Sequence, residues 1–424
     1  MKYDVIVVGA GAAGLSAAKV LSHAGKRVLI LESRLRIGGR IHTLKGEGFS
    51  EPVEEGAEFI HGSLPLTGDL LKKLSIAAVP GEGKSWNIDN NQLFPGDLFD
   101  DGWDILKDKL SSLSSDMTIG AFLDKHLNVP ALDSLKQSVI RFVEGYDAAN
   151  IYKASAFALR DEWNEENIEG FRPVGGYSQL LDYMLGDFQI AGGTLSLSEI
   201  VKRIVWRRGK VEIFTNNGSS WECEKVIVTV PVPILKARMI EFDPPLNHYS
   251  NALTDVEMGS VIKFLFEFKS PFWEEGKFPD RKLSEMSFLF TDATVPTWWT
   301  QLPRTFPLLT GWLAGPSIDN LQRDDHTLMD DALRSLAYIF KCSVEDIQSM
   351  IKASRVVNWK NDPFAGGAYA YRTLDTNAAL QTLLHPVEQT IFLAGEAYYQ
   401  GSEMGTVEAA LASGEEAARK ALAS

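Results

Sequence analysis

Residues 3–21 read YDVIVVGAGAAGLSAAKVL, and their order of residue types decides the fold. Residues 4–8, DVIVV, are apolar and β-branched, the composition of a parallel strand buried on both faces. Gly9, Gly11 and Gly14 follow in G-x-G-x-x-G spacing. AAGLSAAKVLSHAG then continues with helical periodicity and stops at Gly25, a suitable C-cap. A second strand, RVLIL (27–31), ends at Glu32, 23 residues after Gly9. Each part has a mechanical reason. Gly9 permits the tight strand-to-helix turn, Gly11 lets backbone N–H groups approach a pyrophosphate, and Gly14 lets the helix pack on the strand. The helix N-terminus supplies partial positive charge, and Glu32 can accept both ribose hydroxyls. Strand, helix, strand and acid in this order predict a βαβ dinucleotide cradle rather than an idle glycine-rich turn. The stretch alone leaves NAD and FAD open.

The residues after Glu32 narrow the choice. SRLRIGGR completes an E-x-R-x-x-x-G-G-R pattern formed by Glu32, Arg34, Gly38, Gly39 and Arg40. It resembles the extended signature of FAD-binding oxidoreductases. That resemblance implies that the glycine pair and Arg40 lie along the cofactor phosphates and the flavin.

The chain has 424 residues, too long for one compact core, which predicts two or three domains. Apolar residues make up 45% and charged residues 23%, an ordinary globular composition. A net charge of −14 argues against a nucleic-acid partner and mildly favours cationic small molecules. The two cysteines, Cys223 and Cys342, stand far apart in no metal or redox spacing, so neither a disulfide framework nor a cysteine zinc site is expected. The seven histidines form no close pair, and no metal is expected. The apolar run at 5–8 is too short for an export segment, and no run of about 18 apolar residues occurs. The expectation is a cytoplasmic enzyme with no membrane segment.

Along the chain the dinucleotide half is interrupted. Residues 50–63, SEPVEEGAEFIHGS, read as loop and strand, and 64–190 read as mainly helical and polar. Strands return at 193–230, with a hairpin signal at Asn217-Gly218 and a buried strand in KVIVTVP (225–231). Within 240–355, VIKFLFEFKSPFW and FPLLTGWLAG read as strands of an antiparallel sheet, followed by the helix DDALRSLAYIF. The last segment is a strand, TIFLAG (390–395), then Glu396, a loop, and a long helix from about Gly405. The fold class expected is α/β. A Rossmann-like dinucleotide domain is assembled from 1–63, 193–240 and 356–424, and an α+β substrate domain from 64–192 and 241–355.

The motifs VIVVGAGAAGLSAA, LESRLRIGGR, EEGAEFIHGS, VIVTVPVPIL, GSVIKFLFEF, WKNDPFAGGAY and FLAGEAY…GTVEAALASG occur in this order. In that order the chain resembles the flavin-containing amine oxidases, which include monoamine and polyamine oxidases. The resemblance covers both ends and the middle, and only the insert at 64–190 is uninformative. It implies bound FAD, oxidation of an amine C–N bond to an imine that hydrolyses to an aldehyde, and dioxygen reduced to hydrogen peroxide.

The resemblance also implies roles for single residues. Lys263, inside the apolar run VIKFLFEF, matches a lysine that reaches the flavin's reactive nitrogen through a water and serves reoxidation by dioxygen. If it points inward, burial lowers its pKa unless a carboxylate or water meets it. Tyr369 matches a tyrosine that walls the substrate amine beside the flavin. Its neighbour Ala368 stands where animal monoamine oxidases carry a flavin-bonding cysteine, so the FAD is expected to be non-covalent. The second aromatic wall position falls at Ser402. His61 is placed to accept a hydrogen bond from the substrate ammonium. Phe59, Trp312 and Trp359 are expected around the flavin and substrate, Val201 at the adenine, and Glu396, Thr406 and Val407 at the ribityl chain and pyrimidine edge.

Three rival readings stand beside this one. An L-amino acid oxidase needs an arginine for the substrate carboxylate; none lies between 54 and 64, leaving Arg141 or Arg172 to supply it. A desaturase related to protoporphyrinogen oxidase would act on C–C bonds. A flavin-binding scaffold without turnover would not need Lys263 and Tyr369.

Overall fold

The computed structural model describes residues 2–62, 64–96, 102–164, 170–278, 281–319, 321 and 323–424. The strand Lys2–Val8 lies inside an eight-stranded sheet. It runs parallel to Val28–Leu31, with Val8 opposite Leu31, and that strand runs parallel to Thr194–Ser196. On its other side it pairs parallel with Ser220–Val228, which also pairs parallel with Ile391–Leu393. Segments from both ends and the middle of the chain therefore share one sheet. The hairpin expected at Asn217-Gly218 forms, with Lys210–Thr215 antiparallel to Ser220–Val228 and Gly218 at φ +84°.

The helix Ala12–His23 packs against the C-terminal helix Val407–Ala423 through small residues. A Cβ on Gly414 would stand 2.2 Å from the Ala13 carbonyl oxygen, so glycine is what permits this approach. Gly14 is equally constrained, since its Cβ would stand 2.0 Å from the Gly9 carbonyl oxygen.

The second sheet has seven strands in the order Ile351–Asn358, Val261–Phe268, Leu308–Ala314, Thr297–Trp299, Met286–Thr291, Lys84–Asp89 and Gln92–Pro95. All eight residues of Val261–Phe268 are buried. Strand alternation explains how such a strand carries a lysine. Ile262, Phe264, Phe266 and Phe268 share a core with Leu333, Leu336 and Phe340 of the helix Asp325–Phe340. The odd positions face the other way: Leu265 packs with Leu44, Phe49 and Val53, which belong to the dinucleotide-binding end of the chain. Lys263 has the same parity as Leu265.

The insert at 64–190 departs from expectation in two ways. It contains a hairpin, Lys84–Asp89 with Gln92–Pro95, that extends the second sheet. Its turn residues Asn90 and Asn91 both have positive φ, at 48° and 63°, as a two-residue I′ turn requires. The helices Pro65–Leu74 and Ser178–Ile190, expected on the substrate side, instead bury Leu70, Leu71, Leu180 and Phe188 in one core with Leu15 and Leu21 of the first domain. Their apolar stripes need partners: Ala12–His23 covers Ser178–Ile190, and the C-terminal helix Val407–Ala423 covers Pro65–Leu74, where Glu408 also accepts from the Leu66 and Thr67 N–H groups. Four further helices, Trp103–Ser111, Ile119–His126, Asp133–Gly145 and Ala156–Asn164, keep a core of their own around Phe122, Val139 and Trp163. Among the described residues, no helix is long and apolar enough to cross a membrane.

Candidate active site

A cavity of about 1270 Å³ runs from the turn after Lys2–Val8 to the inner strands of the second sheet, where Lys263, Phe288, Trp299 and Trp312 line it. At its first end, Gly9 turns the chain at φ +109°. Gly11 opens the helix Ala12–His23 with no side-chain cap, so the first N–H groups keep no side-chain acceptor. A Cβ at Gly11 would find only the Gly38 carbonyl oxygen, at 3.9 Å, so the surface there is open to a close ligand. The Glu32 carboxylate lines the cavity, held by N–H donors from Ala10 (2.7 Å) and Arg34 (2.8 Å). These bonds fix its direction and leave lone pairs for ribose hydroxyls.

Two arginines tie segments distant in sequence together along the same wall. Arg34 pairs with Asp362 and stacks over Phe364 at 5.2 Å. Arg40 donates to Glu396 at 2.8 Å and to the Ala368 carbonyl, while Glu396 also accepts from the Ala370 N–H at 3.2 Å. Gly39, Thr406 and Val407 line the cavity too, and Thr406 caps the C-terminal helix by accepting from the Ala409 N–H. Two helix N-termini thus face one space. Val201 does not line it; its side chain is buried with Ile204 and Ile213 under the sheet. The preceding residues meet the Glu32 segment: the Ser198 N–H donates to the Arg34 carbonyl, the Glu199 N–H to the Glu32 carbonyl, and the Glu32 N–H to the Ser196 carbonyl.

At the other end Lys263 lines the cavity with its side chain 1% exposed. Its ammonium donates to Glu58 at 2.7 Å and to the Gly56 carbonyl at 3.3 Å, and lies 5.6 Å from the Trp299 ring centre. The other oxygen of Glu58 accepts from Arg172 (2.8 Å), Trp299 (3.0 Å) and Gln301 (3.1 Å). Burial pushes the Glu58 carboxyl up, but Lys263 and Arg172 outweigh it and hold the group down at about 2. Trp312 stands opposite Lys263 in the strand register and donates to the Gly145 carbonyl at 2.8 Å. Trp359 donates to the Glu55 carbonyl at 3.0 Å.

Tyr369 is half-buried, and its hydroxyl donates to the Tyr146 carbonyl. The Tyr146 ring meets His61 edge-on at 5.5 Å, and Phe59 lies 5.6 Å from His61 under the Arg172 guanidinium. Ser402 lines the cavity as well. Next to Tyr146, Asp147 is 8% exposed and one of its oxygens is buried without a hydrogen-bond partner. Burial first and Glu162 second raise its pKa well above the usual carboxylate range. Asp116, Asp161 and Glu162 line the same region.

The glycine motif, Lys263, Tyr369 and His61 line one cavity, and Val201, whose backbone rather than side chain was expected at the adenine, lies two residues from the contact between Glu199 and Glu32. Glu58, Trp299 and Asp147 are additions. Glu58 had a signal in sequence, a carboxylate flanked by Ala57 and Phe59 just as Lys263 is flanked by Ile262 and Phe264. Asp147 had none, because it follows a helix whose packing partner is not local.

Residues 12–422 match the flavin-containing amine oxidoreductases. The chain belongs to that family. Its members catalyse FAD-dependent oxidation of amines, and this chain is one of them. It is 24% identical over 465 residues to polyamine oxidase 4 of Oryza sativa subsp. japonica, covering 99% of this chain and 89% of the relative. It is 26% identical over 480 residues to amine oxidase [flavin-containing] B of Bos taurus, covering 99% and 86%. Among solved structures, putrescine oxidase with putrescine bound superposes with a TM-score of 0.82 at 19% identity, covering 100% of both chains. Cyclohexylamine oxidase from Brevibacterium oxydans does so with 0.79 at 20%, covering 98% of both. The uncapped helix start, the open surface at Gly11 and the fixed Glu32 carboxylate fit an FAD. The cofactor of this family member is held without a thioether: Ala368 occupies the cavity wall, while Cys223 is buried in the core of the first sheet and Cys342 packs against that of the second.

Proposed function

We propose that the protein oxidises a diamine or polyamine, with dioxygen as acceptor and hydrogen peroxide as product. The observation that carries this reading is Asp147, a buried carboxylate with an unpartnered oxygen beside the Tyr369–Tyr146 wall. A buried polar atom without a partner costs stability unless a ligand completes it. An ammonium group distant from the reacting carbon would complete this one, and Asp116, Asp161 and Glu162 add negative potential along the same wall. The flavin supplies the two-electron oxidation of the amine C–N bond.

The chain's own residues do the rest. Tyr369, Phe59 and Trp312 give the amine an apolar, aromatic setting, and His61 accepts a hydrogen bond from it. Lys263 offers an ammonium proton at the wall where dioxygen is reduced. Gly9, Gly11, Glu32, Arg34 and Arg40 hold the cofactor's nucleotide half, and Glu396 with the Thr406–Val407 helix start holds its flavin half. The name of the rice relative and the ligand of the solved putrescine oxidase agree with this substrate class. Cys223 and Cys342 form no disulfide with each other, in keeping with a cytoplasmic setting.

An amino acid remains a second reading because Arg141 lines the same cavity. Arg172 cannot serve it, being committed to Glu58. Peroxide release with putrescine, spermine, tyramine and leucine, compared side by side, tests the choice. Putrescine or spermine should give the highest kcat/KM, and Asp147→Asn should raise KM for them at least about tenfold while sparing tyramine. Leucine as the best substrate would contradict the reading.

A further inference from the structure

The Glu58–Lys263 pair has a consequence for the reaction beyond holding two segments together. Lys263 sits on a strand buried along its whole length, opposite Trp312 on one neighbouring strand and Val357 on the other. Such a setting expels the proton of an amine unless a counter-charge stands against it. Glu58 is that counter-charge, at 2.7 Å, and it cannot swing away, because Arg172, Trp299 and Gln301 donate to its other oxygen. The charged groups facing the pair are Arg172, whose side chain is 13% exposed, and Glu54, whose field reaches both. An ammonium has three N–H donors. Glu58 and the Gly56 carbonyl take two of them, which leaves one for the cavity that Lys263 lines.

We propose that Glu58 is the positioning residue for Lys263: it keeps the amine protonated through the pH range of turnover and aims one N–H into the cavity. This rests on the reading that Lys263 serves reoxidation by dioxygen. Lys263, Arg172 and Glu58 together leave one net positive charge at the wall, the sign that favours an anion forming there.

The test uses substrate-free holoenzyme and two readouts. The first is acetylation of Lys263 by acetic anhydride across pH, followed by peptide mass spectrometry, since only the neutral amine reacts. The second is the rate at which dioxygen reoxidises the reduced enzyme. In the wild type, Lys263 should resist acetylation throughout the range in which the enzyme turns over, and reoxidation should stay level from roughly pH 6 to pH 9. In Glu58→Gln, acetylation should begin at least about two pH units lower, and reoxidation should fall about tenfold as the pH rises over that range. Wild-type curves in both readouts would overturn the proposal. Lys263→Met run alongside separates the two ideas. If it reoxidises at the wild-type rate, the role of Lys263 is wrong, and the acetylation curve still decides whether Glu58 holds the proton. If Glu58→Gln does not retain FAD, Glu58→Asp decides: it keeps the charge but withdraws it by one methylene. A level pH profile at a rate lowered several-fold is expected, and a full wild-type rate would overturn the proposal.

Discussion

Lys263 stands against an ion-pair partner, Glu58, whereas Glu54 meets only neutral hydrogen-bond donors, the Tyr177 N–H and the Thr43 hydroxyl. Glu54 is desolvated and pushed up to about 7, despite these donors and the field of Lys263. Because its folded pKa lies above the ordinary carboxyl value of 4.5, Glu54 stabilises the fold only while protonated. Stability should therefore fall as pH rises from about 4.5 to about 7, by up to about 3 kcal/mol, and level off above. Glu54→Gln keeps an acceptor for Tyr177 and Thr43 and removes the proton, so urea melts of the variant should lose this slope. An unchanged slope would place the titration elsewhere. Lys263→Met should slow reoxidation by dioxygen more than reduction by amine, which stopped-flow absorbance separates. Glu32→Ala should weaken FAD retention by one to two orders of magnitude, about the worth of a hydrogen bond to a charged group, measured by equilibrium dialysis.

The elements divide by how local their determinants are. The βαβ unit was legible because each part, from DVIVV to Glu32, is specified by its own neighbours in sequence. The strand Val261–Phe268 was legible as apolar, but its lysine's direction was not, since both faces are buried and periodicity is silent there. The Lys84–Pro95 hairpin was not legible because its turn is Asn90-Asn91 rather than the stronger Asn-Gly, and its first strand is half-buried and its second mostly exposed. The helix Ser178–Ile190 was legible as a helix, but not as a partner of Ala12–His23, because a stripe does not name what covers it. Contact between Ala12–His23 and Val407–Ala423 depends on Gly414. Gly414→Leu should cost about 3 kcal/mol by overpacking and shift the N-terminal helix that starts the cofactor cradle. Thermal melting and the FAD-bound fraction should both drop; a drop in melting temperature alone would separate the helix contact from the cradle.

At the scale of the molecule, the chain closes on itself. Arg40 from the first segment pairs with Glu396 from the last, and the strand Ile391–Leu393 enters the sheet that Lys2–Val8 began. The second sheet then brings Lys263 to the far side of the cavity so formed. Of this arrangement, the shared cofactor site was legible from motifs at the two ends. The acidic wall at Asp147 was not, and the carboxylate of Glu58 showed only as an acid among apolar neighbours, its pairing with Lys263 depending on a strand about two hundred residues away. If this closure positions a flavin against an amine, mixing holoenzyme with putrescine in the absence of dioxygen must bleach the yellow flavin absorbance, and Asp147→Asn must need more putrescine to do so. Holoenzyme that stays yellow with putrescine, spermine, tyramine and leucine alike would contradict the account.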